Sequence, residues 1–124
     1  MTRIEGRIEG GPAPAGPYSH SVRIGSVVAA AGQVGTTPDD VVLDGVGAQT
    51  RQALANIAAA LSASGAGMDD VISVRVFLTE RDHFEEMNAA YREAFHEPYP
   101  ARTTVYVGLP VGFLVEIDAL AVTS

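Results

Sequence analysis

Cysteine and lysine are both absent from this 124-residue sequence, and the missing thiols restrict its chemistry. Without cysteine the chain forms no disulfide and has no thiol nucleophile, which fits a reducing compartment. No apolar run approaches the roughly 20 residues that a membrane span needs, and the N-terminus has no apolar core of the signal-peptide type. We therefore expect a cytoplasmic protein that does not enter a membrane.

Positive charge is also scarce in this sequence. The eight basic residues are arginines scattered along the chain, and the net charge is −7 with a pI near 4.7. Such a surface repels phosphate backbones, so nucleic acid is not an expected partner. With 47% hydrophobic residues, a chain of this length can bury a core without metal or disulfides. We expect one domain over residues 1–124, of which residues 1–15 form an extended segment and a loop.

Two short apolar runs open the patterned part of the chain. Residues 21–24 and 27–31 flank Gly25-Ser26, a connection that favours a tight antiparallel hairpin. Apolar residues at helical spacing then predict a helix that Asp44 caps at its start and Gly65-Ala66-Gly67 ends. The alanine-rich body of this helix suits close packing on a sheet.

A strand and a second helix follow. Alternation in residues 71–78 predicts a half-buried strand with Ile72 on its apolar face, together with Val74. Asp82 and Glu85 have the spacing of a capping box at the start of the next helix. The apolar stripe of that helix comprises Phe84, Met87, Tyr91 and Phe95.

Residues 100–116 carry the charges that suit a plain core strand least. Two apolar runs around a Gly/Pro-rich turn predict a β-hairpin here, with Arg102 at the mouth of its first strand and Glu116 in its second. The element order is then strand, strand, helix, strand, helix, strand, strand. This is an α+β pattern, a mixed β-sheet with two helices on one face, and its other face calls for cover by oligomerisation.

Arg102 is the first candidate for a site. Thr104 lies two residues further along the same strand face, and a guanidinium beside a hydroxyl suits a planar carboxylate, which an arginine fork can hold through two parallel bonds. The alternative is a salt bridge from Arg102 across the hairpin to Glu116 or Asp118. The residues alone leave both open.

Glu116 is the second candidate, because a carboxylate inside an apolar strand costs stability unless it is paired or wetted. Asp118, on the same face, competes with it for a functional role. Tyr18 follows Gly16-Pro17, whose rigid backbone can aim the ring at a fixed place, although it can equally cover a core edge. Gly32, followed by Gln33, lets a ligand approach the second strand closely.

Two further observations complete the inventory of candidate residues. Asn88 lies beside the stripe of the second helix, where it either marks the boundary of the core or bonds a group at the sheet edge. His20, His83 and His96 have no metal-ligand spacing, and no serine has the context of a nucleophile elbow. We expect no metal site and give the histidines surface or structural roles.

Six segments in order resemble one known family. They are residues 16–19, 31–33, 49–56, 88–91, 100–104 and 115–119, that is Gly-Pro-Tyr-Ser, Ala-Gly-Gln, Gln-Thr-Arg-Gln-Ala-Leu-Ala-Asn, Asn-Ala-Ala-Tyr, Pro-Ala-Arg-Thr-Thr and Val-Glu-Ile-Asp-Ala. Together they resemble the Rid family of reactive intermediate deaminases, also called YjgF. The resemblance runs from about residue 12 to the end of the chain.

The resemblance implies a chorismate-mutase-like (YjgF-type) fold, assembled as a homotrimer with sites in the clefts between subunits. It implies hydrolysis of enamine and imine intermediates, such as 2-aminoacrylate, to 2-keto acids and ammonia without a cofactor, as a 2-iminobutanoate/2-iminopropanoate-type deaminase does. By the same resemblance, Arg102 holds the substrate carboxylate, Glu116 positions or activates water and Tyr18 lines the cleft. Asn88 and Thr104 border the pocket, and Gly32 with Gln33 belongs to the substrate-binding segment.

One residue departs from the family pattern. Deaminating members commonly have Ser or Thr before Gly-Gln, where this chain has Ala31. The missing hydroxyl supports an alternative, a non-catalytic trimeric binder of small carboxylates such as keto acids, with a regulatory or chaperone-like role. Ribonuclease activity, also attached to the family, fits poorly with a net charge of −7 and no acid/base pair of histidines.

Overall fold

A mixed six-stranded sheet forms one layer of the computed structural model, and two α-helices form the other. The structure describes all residues, 1–124. The expected α+β class, with a mixed sheet and two helices, is confirmed. The elements in chain order are β1 (Ile4–Gly6), β2 (Ser21–Ile24), β3 (Val27–Val34), α1 (Val46–Ala63), β4 (Val71–Leu78), α2 (Phe84–Ala94), β5 (Ala101–Tyr106) and β6 (Val115–Val122).

The strand order is β1-β2-β3-β6-β4-β5, and only the β4 and β5 pair is parallel. The predicted hairpin over residues 100–116 is therefore wrong, because β4 lies between β5 and β6 and hydrogen-bonds to both. The chain reaches β5 through α2, a crossover long enough for parallel pairing. This order puts β4 one strand in from the β5 edge, paired on both sides, and its Val74, Val76 and Leu78 are at most 1% exposed.

The α1 helix buries the face that the sequence pattern predicted. Leu54, Ile57 and Leu61 are at most 2% exposed and lie against the sheet. The expected cap by Asp44 is wrong: the N-cap residue is Gly45, and no side chain of that residue is available to bond the first turn. Glu86 of α2 supplies the acceptor instead, since its Oε2 takes a hydrogen bond of 3.0 Å from the Gly47 amide.

The α2 helix begins at Phe84, after a short 3-10 turn over residues 81–83. Its N-cap residue is His83 and no side chain caps it, so the expected capping box of Asp82 and Glu85 is wrong. The apolar stripe is confirmed, with Met87 fully buried and Tyr91 packed against Phe95 at 4.8 Å between ring centroids.

A shift of register at the start of β4 overturns one predicted face. Val71 pairs with Ala121 and Ser73 pairs with Leu120, which leaves Ile72 as the extra residue of a bulge. Val71 is therefore buried, whereas Ile72 is 51% exposed. The expected placement of Ile72 on the apolar face is wrong, because a single inserted residue breaks the alternation and puts Val71 on the buried side instead.

One part of the sheet face away from the helices is apolar and open. Val27 pairs with both Ile24 and Val122, and Leu120 pairs with Ala29 two residues along. All of these side chains except that of Ala29 are more than a third exposed. We call this surface, formed by Ile24, Val27, Leu120 and Val122, the outer face. An apolar area of this kind is typical of an interaction surface. No helix combines the length and the apolarity needed to cross a membrane.

Candidate active site

Arg102 points from β5 towards the helices. Its register partner is Val74, which is 1% exposed, so the side chain shares the inner face of the sheet. The guanidinium carbon lies 4.7 Å from the centroid of the Tyr91 ring and 5.8 Å from that of Phe84. One guanidinium nitrogen lies 3.9 Å from the sulfur of Met87. Arg102 thus packs on aromatic and sulfur atoms and keeps its charge free of any carboxylate.

The expected alternative for this arginine, a salt bridge to Glu116 or Asp118, is wrong. Asp118 is held by Arg75, whose two nitrogens bond its carboxylate at 2.6 to 3.1 Å. Glu116 pairs with Phe77 in the sheet, three positions from the partner of Arg102. An odd separation along β4 puts the two side chains on opposite faces. Within one chain, Arg102 and Glu116 do not meet.

A pocket of about 260 Å³ opens beside Arg102 at the junction of α2 and β5. We call it the arginine pocket; its walls are Asn88, Tyr91, Arg92, Tyr99, Pro100 and Arg102. The predicted binding residue Asn88 therefore lies with Arg102, one helical turn before Arg92. Thr104 does not line the pocket, but its hydroxyl is buried without a hydrogen-bond partner.

The Tyr91 ring packs against the guanidinium of Arg102. Its hydroxyl is buried without a hydrogen-bond partner, and burial raises the pKa of this phenol although the charge of Arg102 opposes the shift. The ring therefore stays neutral and presents a π-face to the guanidinium, an arrangement worth about 0.5 to 2 kcal/mol. This contact holds the arginine in place without neutralising it.

The second group of candidate residues lies elsewhere on the molecule. A cavity of about 330 Å³ is lined by Tyr18, Gly32 and Gln33, together with the N-terminal loop and Asn56. We call it the tyrosine cavity. The Tyr18 hydroxyl accepts a hydrogen bond of 3.3 Å from the Ala15 amide, and the ring is half exposed. This exposure argues against the simple alternative that Tyr18 covers a core edge.

Glu116 lies next to Gly32, on the outer side of the sheet. A Cβ atom placed on Gly32 would stand 2.7 Å from Oε2 of Glu116, so the absence of a side chain there makes room for the carboxylate. Burial raises the pKa of the Glu116 carboxyl, and the charge of Asp118 raises it further. Glu116 therefore binds a proton more readily than an exposed glutamate does.

His20 has a structural role in this part of the chain. It is 7% exposed, and its Nδ1 accepts a hydrogen bond of 2.9 Å from the Ile8 amide, which ties the N-terminal segment to β2. His96 lies on the surface with Nε2 2.9 Å from Asp69. No three His, Asp or Glu side chains converge as a metal site.

The candidate residues thus form two separate groups. The arginine pocket holds Arg102 and Asn88, and the other group joins Tyr18, Gly32 and Gln33 with Glu116 nearby. Sequence reasoning did not assign Tyr91, Arg92 and Tyr99 to the site. The spacing of Asn88 and Arg92, four residues apart on one helix, is the signal that could have found the second arginine.

Comparison with known proteins decides the family. The model of the endoribonuclease L-PSP family, also called YjgF or Rid, matches residues 9–123. The chain belongs to the Rid family. This Rid-family protein is 42% identical over 116 residues to the RutC family protein PH0854 of Pyrococcus horikoshii, a match that covers 91% of this chain and 92% of the relative.

Other relatives of this Rid-family protein include a named enzyme. The 2-iminobutanoate/2-iminopropanoate deaminase of Salmonella typhimurium is 38% identical, over 92% of this chain and 93% of the relative. Among solved structures, Escherichia coli TdcF with bound serine superposes with a TM-score of 0.91 at 33% identity, over 98% of this chain and 99% of that one. The YjgF-type fold expected from the resemblance is therefore confirmed.

Proposed function

We propose that this Rid-family protein hydrolyses reactive 2-imino acids and their enamine tautomers, of the 2-iminobutanoate/2-iminopropanoate type, to 2-keto acids and ammonia. The observation that carries the proposal is the free charge of Arg102. It stands over Tyr91 in a pocket without an acidic wall, as a group that binds the carboxylate of a small acid would. The names of relatives at about 38% identity agree with this activity.

The proposed site is completed by a second copy of the chain. Arg102 and Glu116 lie on opposite faces of one sheet, so a single chain does not offer both to one ligand. The outer face is apolar, exposed and adjacent to Glu116 in the sheet, which favours burial against another subunit. We therefore propose a homotrimer in which the arginine pocket of one subunit faces Glu116 and the tyrosine cavity of the next.

Hydrolysis of an imine requires few catalytic groups. The C=N carbon of an imino acid is already electrophilic, so the protein has to hold the carboxylate and aim a water molecule. Glu116 accepts a proton from that water as its oxygen bonds to the carbon, and passes the proton to the imine nitrogen to give a carbinolamine. It then carries the hydroxyl proton to the same nitrogen as the C–N bond breaks and the C=O bond forms, which releases the keto acid and ammonia. The raised pKa of Glu116 improves it as a base, because a base works best when its pKa approaches the working pH.

A coupled reaction tests the activity. A pyridoxal-phosphate serine dehydratase generates 2-aminoacrylate, and the protein should accelerate the release of pyruvate above the rate in buffer. Arg102→Ala should lower kcat/KM by about 10- to 150-fold, the value of one charge-assisted bond, and Arg102→Lys should lose less. No acceleration by the wild-type protein would refute the proposal, and a full rate for Arg102→Ala would remove that residue from the mechanism.

Mixed assemblies test the shared site. Arg102→Ala and Glu116→Gln subunits should each have low activity alone if both residues serve one reaction. Unfolded together in equal amounts and refolded, they should recover about a quarter of the wild-type rate, because each shared site draws its two residues from different subunits at random. A mixture as inactive as its components would contradict a site between subunits.

A second candidate function rests on Ala31. Its methyl group stands where deaminating relatives commonly carry a hydroxyl, as the sequence resemblance implies. The alternative is a trimeric binder of small carboxylates that never turns over imines, and the name of the TdcF structure with bound serine shows that a relative binds such a molecule. Calorimetric binding of 2-ketobutyrate without any hydrolysis would favour it. In either case we propose a cytoplasmic location, as the cysteine-free sequence suggests.

A further inference from the structure

Four of the eight arginines in this protein contact oxygen atoms of the chain. Arg51 pairs with Glu93 and Arg75 with Asp118 at 3.0 and 2.6 Å, and Arg7 lies 3.8 Å from a carboxylate oxygen of Glu5. Arg23 donates to two carbonyls and a hydroxyl. Arg3, Arg81, Arg92 and Arg102 have no carboxylate within 4.0 Å. In a chain with fifteen acidic residues, two unpaired cations in one place need an explanation.

Two of these four, Arg92 and Arg102, line the arginine pocket. Arg102 is partly buried at its base, and Arg92 is exposed at its rim, one helical turn from Asn88. The remaining walls are Tyr91, Tyr99 and Pro100, so no acidic side chain offsets the two charges. A concave site with two positive charges on a protein of net charge −7 concentrates the field that attracts anions.

The two arginines differ in what they can recognise. Arg102 packs on Tyr91 and is the anchor that the proposed function assigns to the carboxylate beside the reacting carbon. Arg92 has no role in that reaction and no structural partner. A ligand with one carboxylate satisfies Arg102 and leaves Arg92 facing solvent, whereas a ligand with two satisfies both forks.

We propose that the arginine pocket selects short dicarboxylic acids: 2-imino dicarboxylates as substrates and 2-keto dicarboxylates as products. Arg102 holds the carboxylate next to the reacting carbon, and Arg92 binds the distal one. A pocket of about 260 Å³ suits acids of about four or five carbons rather than longer chains. The role of Arg102 rests on the proposed function. The presence of two arginines in one pocket is independent of that function.

Binding of stable keto acids provides the test, since no turnover is needed. Calorimetry at low salt compares 2-oxoglutarate, with two carboxylates, and 2-oxobutanoate, with one. The wild-type protein should bind 2-oxoglutarate more tightly. Arg92→Gln should raise the Kd for 2-oxoglutarate by about 3- to 10-fold, as expected for an ion pair at a rim, while the Kd for 2-oxobutanoate changes by less than about 2-fold.

Two further variants separate a specific contact from a change in net charge. Arg92→Lys should retain part of the preference because the charge remains without the fork. Arg81→Gln removes the same charge from a site where the guanidinium lies over the Tyr106 ring, outside the pocket, and should leave both affinities unchanged. Melting curves and gel filtration verify that each variant folds and assembles as the wild-type protein does.

The outcomes distinguish this inference from the proposed function. Equal affinity for the two keto acids, or an equal loss of both in Arg92→Gln, would overturn dicarboxylate selection even if imine hydrolysis is established. A selective loss of 2-oxoglutarate binding in Arg92→Gln, in a protein that hydrolyses no imine, would support the selection and refute only the deaminase activity.

Discussion

Gly32→Ala is the change that probes the placement of Glu116 most directly. A Cβ atom at position 32 would lie 2.7 Å from Oε2, 3.0 Å from Cδ and 3.2 Å from Cγ of Glu116. Ordinary contacts begin near 3.4 Å, so the carboxylate has to move by about 0.7 Å. The obstructed atoms are the far end of a side chain, so we expect the fold to tolerate the methyl group while the carboxylate is displaced.

The displacement should affect turnover more than binding. A shift of about 1 Å in a reacting group can cost roughly 100-fold in rate, so a shift of this size should lower kcat by about 10- to 100-fold. Binding of a substrate carboxylate by Arg102 should change little, and KM should stay within about 3-fold of the wild-type value. The dehydratase-coupled assay measures both constants, and calorimetry should show a melting temperature within a few degrees of the wild type.

Matched variants show whether the reasoning holds. Gly108→Ala also adds one methyl group to a glycine without positive φ, but no heavy atom lies within 4 Å of it, so its kcat should be unchanged. Glu116→Gln keeps the side-chain volume and removes the base, and should lower kcat by about 100-fold or more. Full activity of Gly32→Ala would refute a role of Gly32 in placing that carboxylate. An inactive Gly32→Ala protein would also refute it if the separate Glu116→Gln variant were fully active.

Three further perturbations follow from contacts in the structure. If Glu116 acts as a carboxylate, kcat should fall as pH drops through its raised pKa. Asp118→Asn removes one cause of that raised pKa and should move the acid limb of the pH–rate profile to lower pH. An unmoved limb would contradict the coupling between the two carboxylates. Glu86→Ala should cost about 1 kcal/mol in urea unfolding because the first turn of α1 loses its acceptor, whereas Glu85→Ala, with no such bond, should cost less than about 0.5 kcal/mol. Gln49→Leu leaves three backbone groups of the surrounding loops without their partner and should lower the free energy of unfolding by about 3 kcal/mol or more. A melting temperature equal to that of the wild type would show that water replaces those bonds.

The local parts of the fold could be read from the sequence. The hairpin turn at Gly25-Ser26 is present, with Ile24 paired to Val27, and both helices bury the faces that their apolar spacing indicated. These features depend on residues within about a turn or two of one another, where periodicity is informative. The helix starts were less predictable: α1 is capped by Glu86, a residue 39 positions from the amide it accepts.

The strand order could not be read in the same way. Two apolar runs beside a Gly/Pro turn suit a hairpin, yet β4 inserts between β5 and β6. The choice depends on which arrangement buries Val74 and Ile117 while pairing the backbone of every central strand, and that is a property of the whole sheet. The bulge that exposes Ile72 is decided by the same sheet pairing.

By itself the sequence determined the class of fold, the helix faces and the residue types offered for chemistry: an arginine suited to a carboxylate, a glutamate in an apolar strand and an aimed tyrosine. Only the tertiary structure decided where they lie. Because side chains alternate along β4 and the β4 partners of Arg102 and Glu116 are three residues apart, Arg102 lies on the helix side of the sheet and Glu116 on the opposite side. Spacing along the helix puts Arg92 on one face with Asn88, but only the tertiary structure places it in the same pocket as Arg102, because one residue belongs to a helix and the other to a strand.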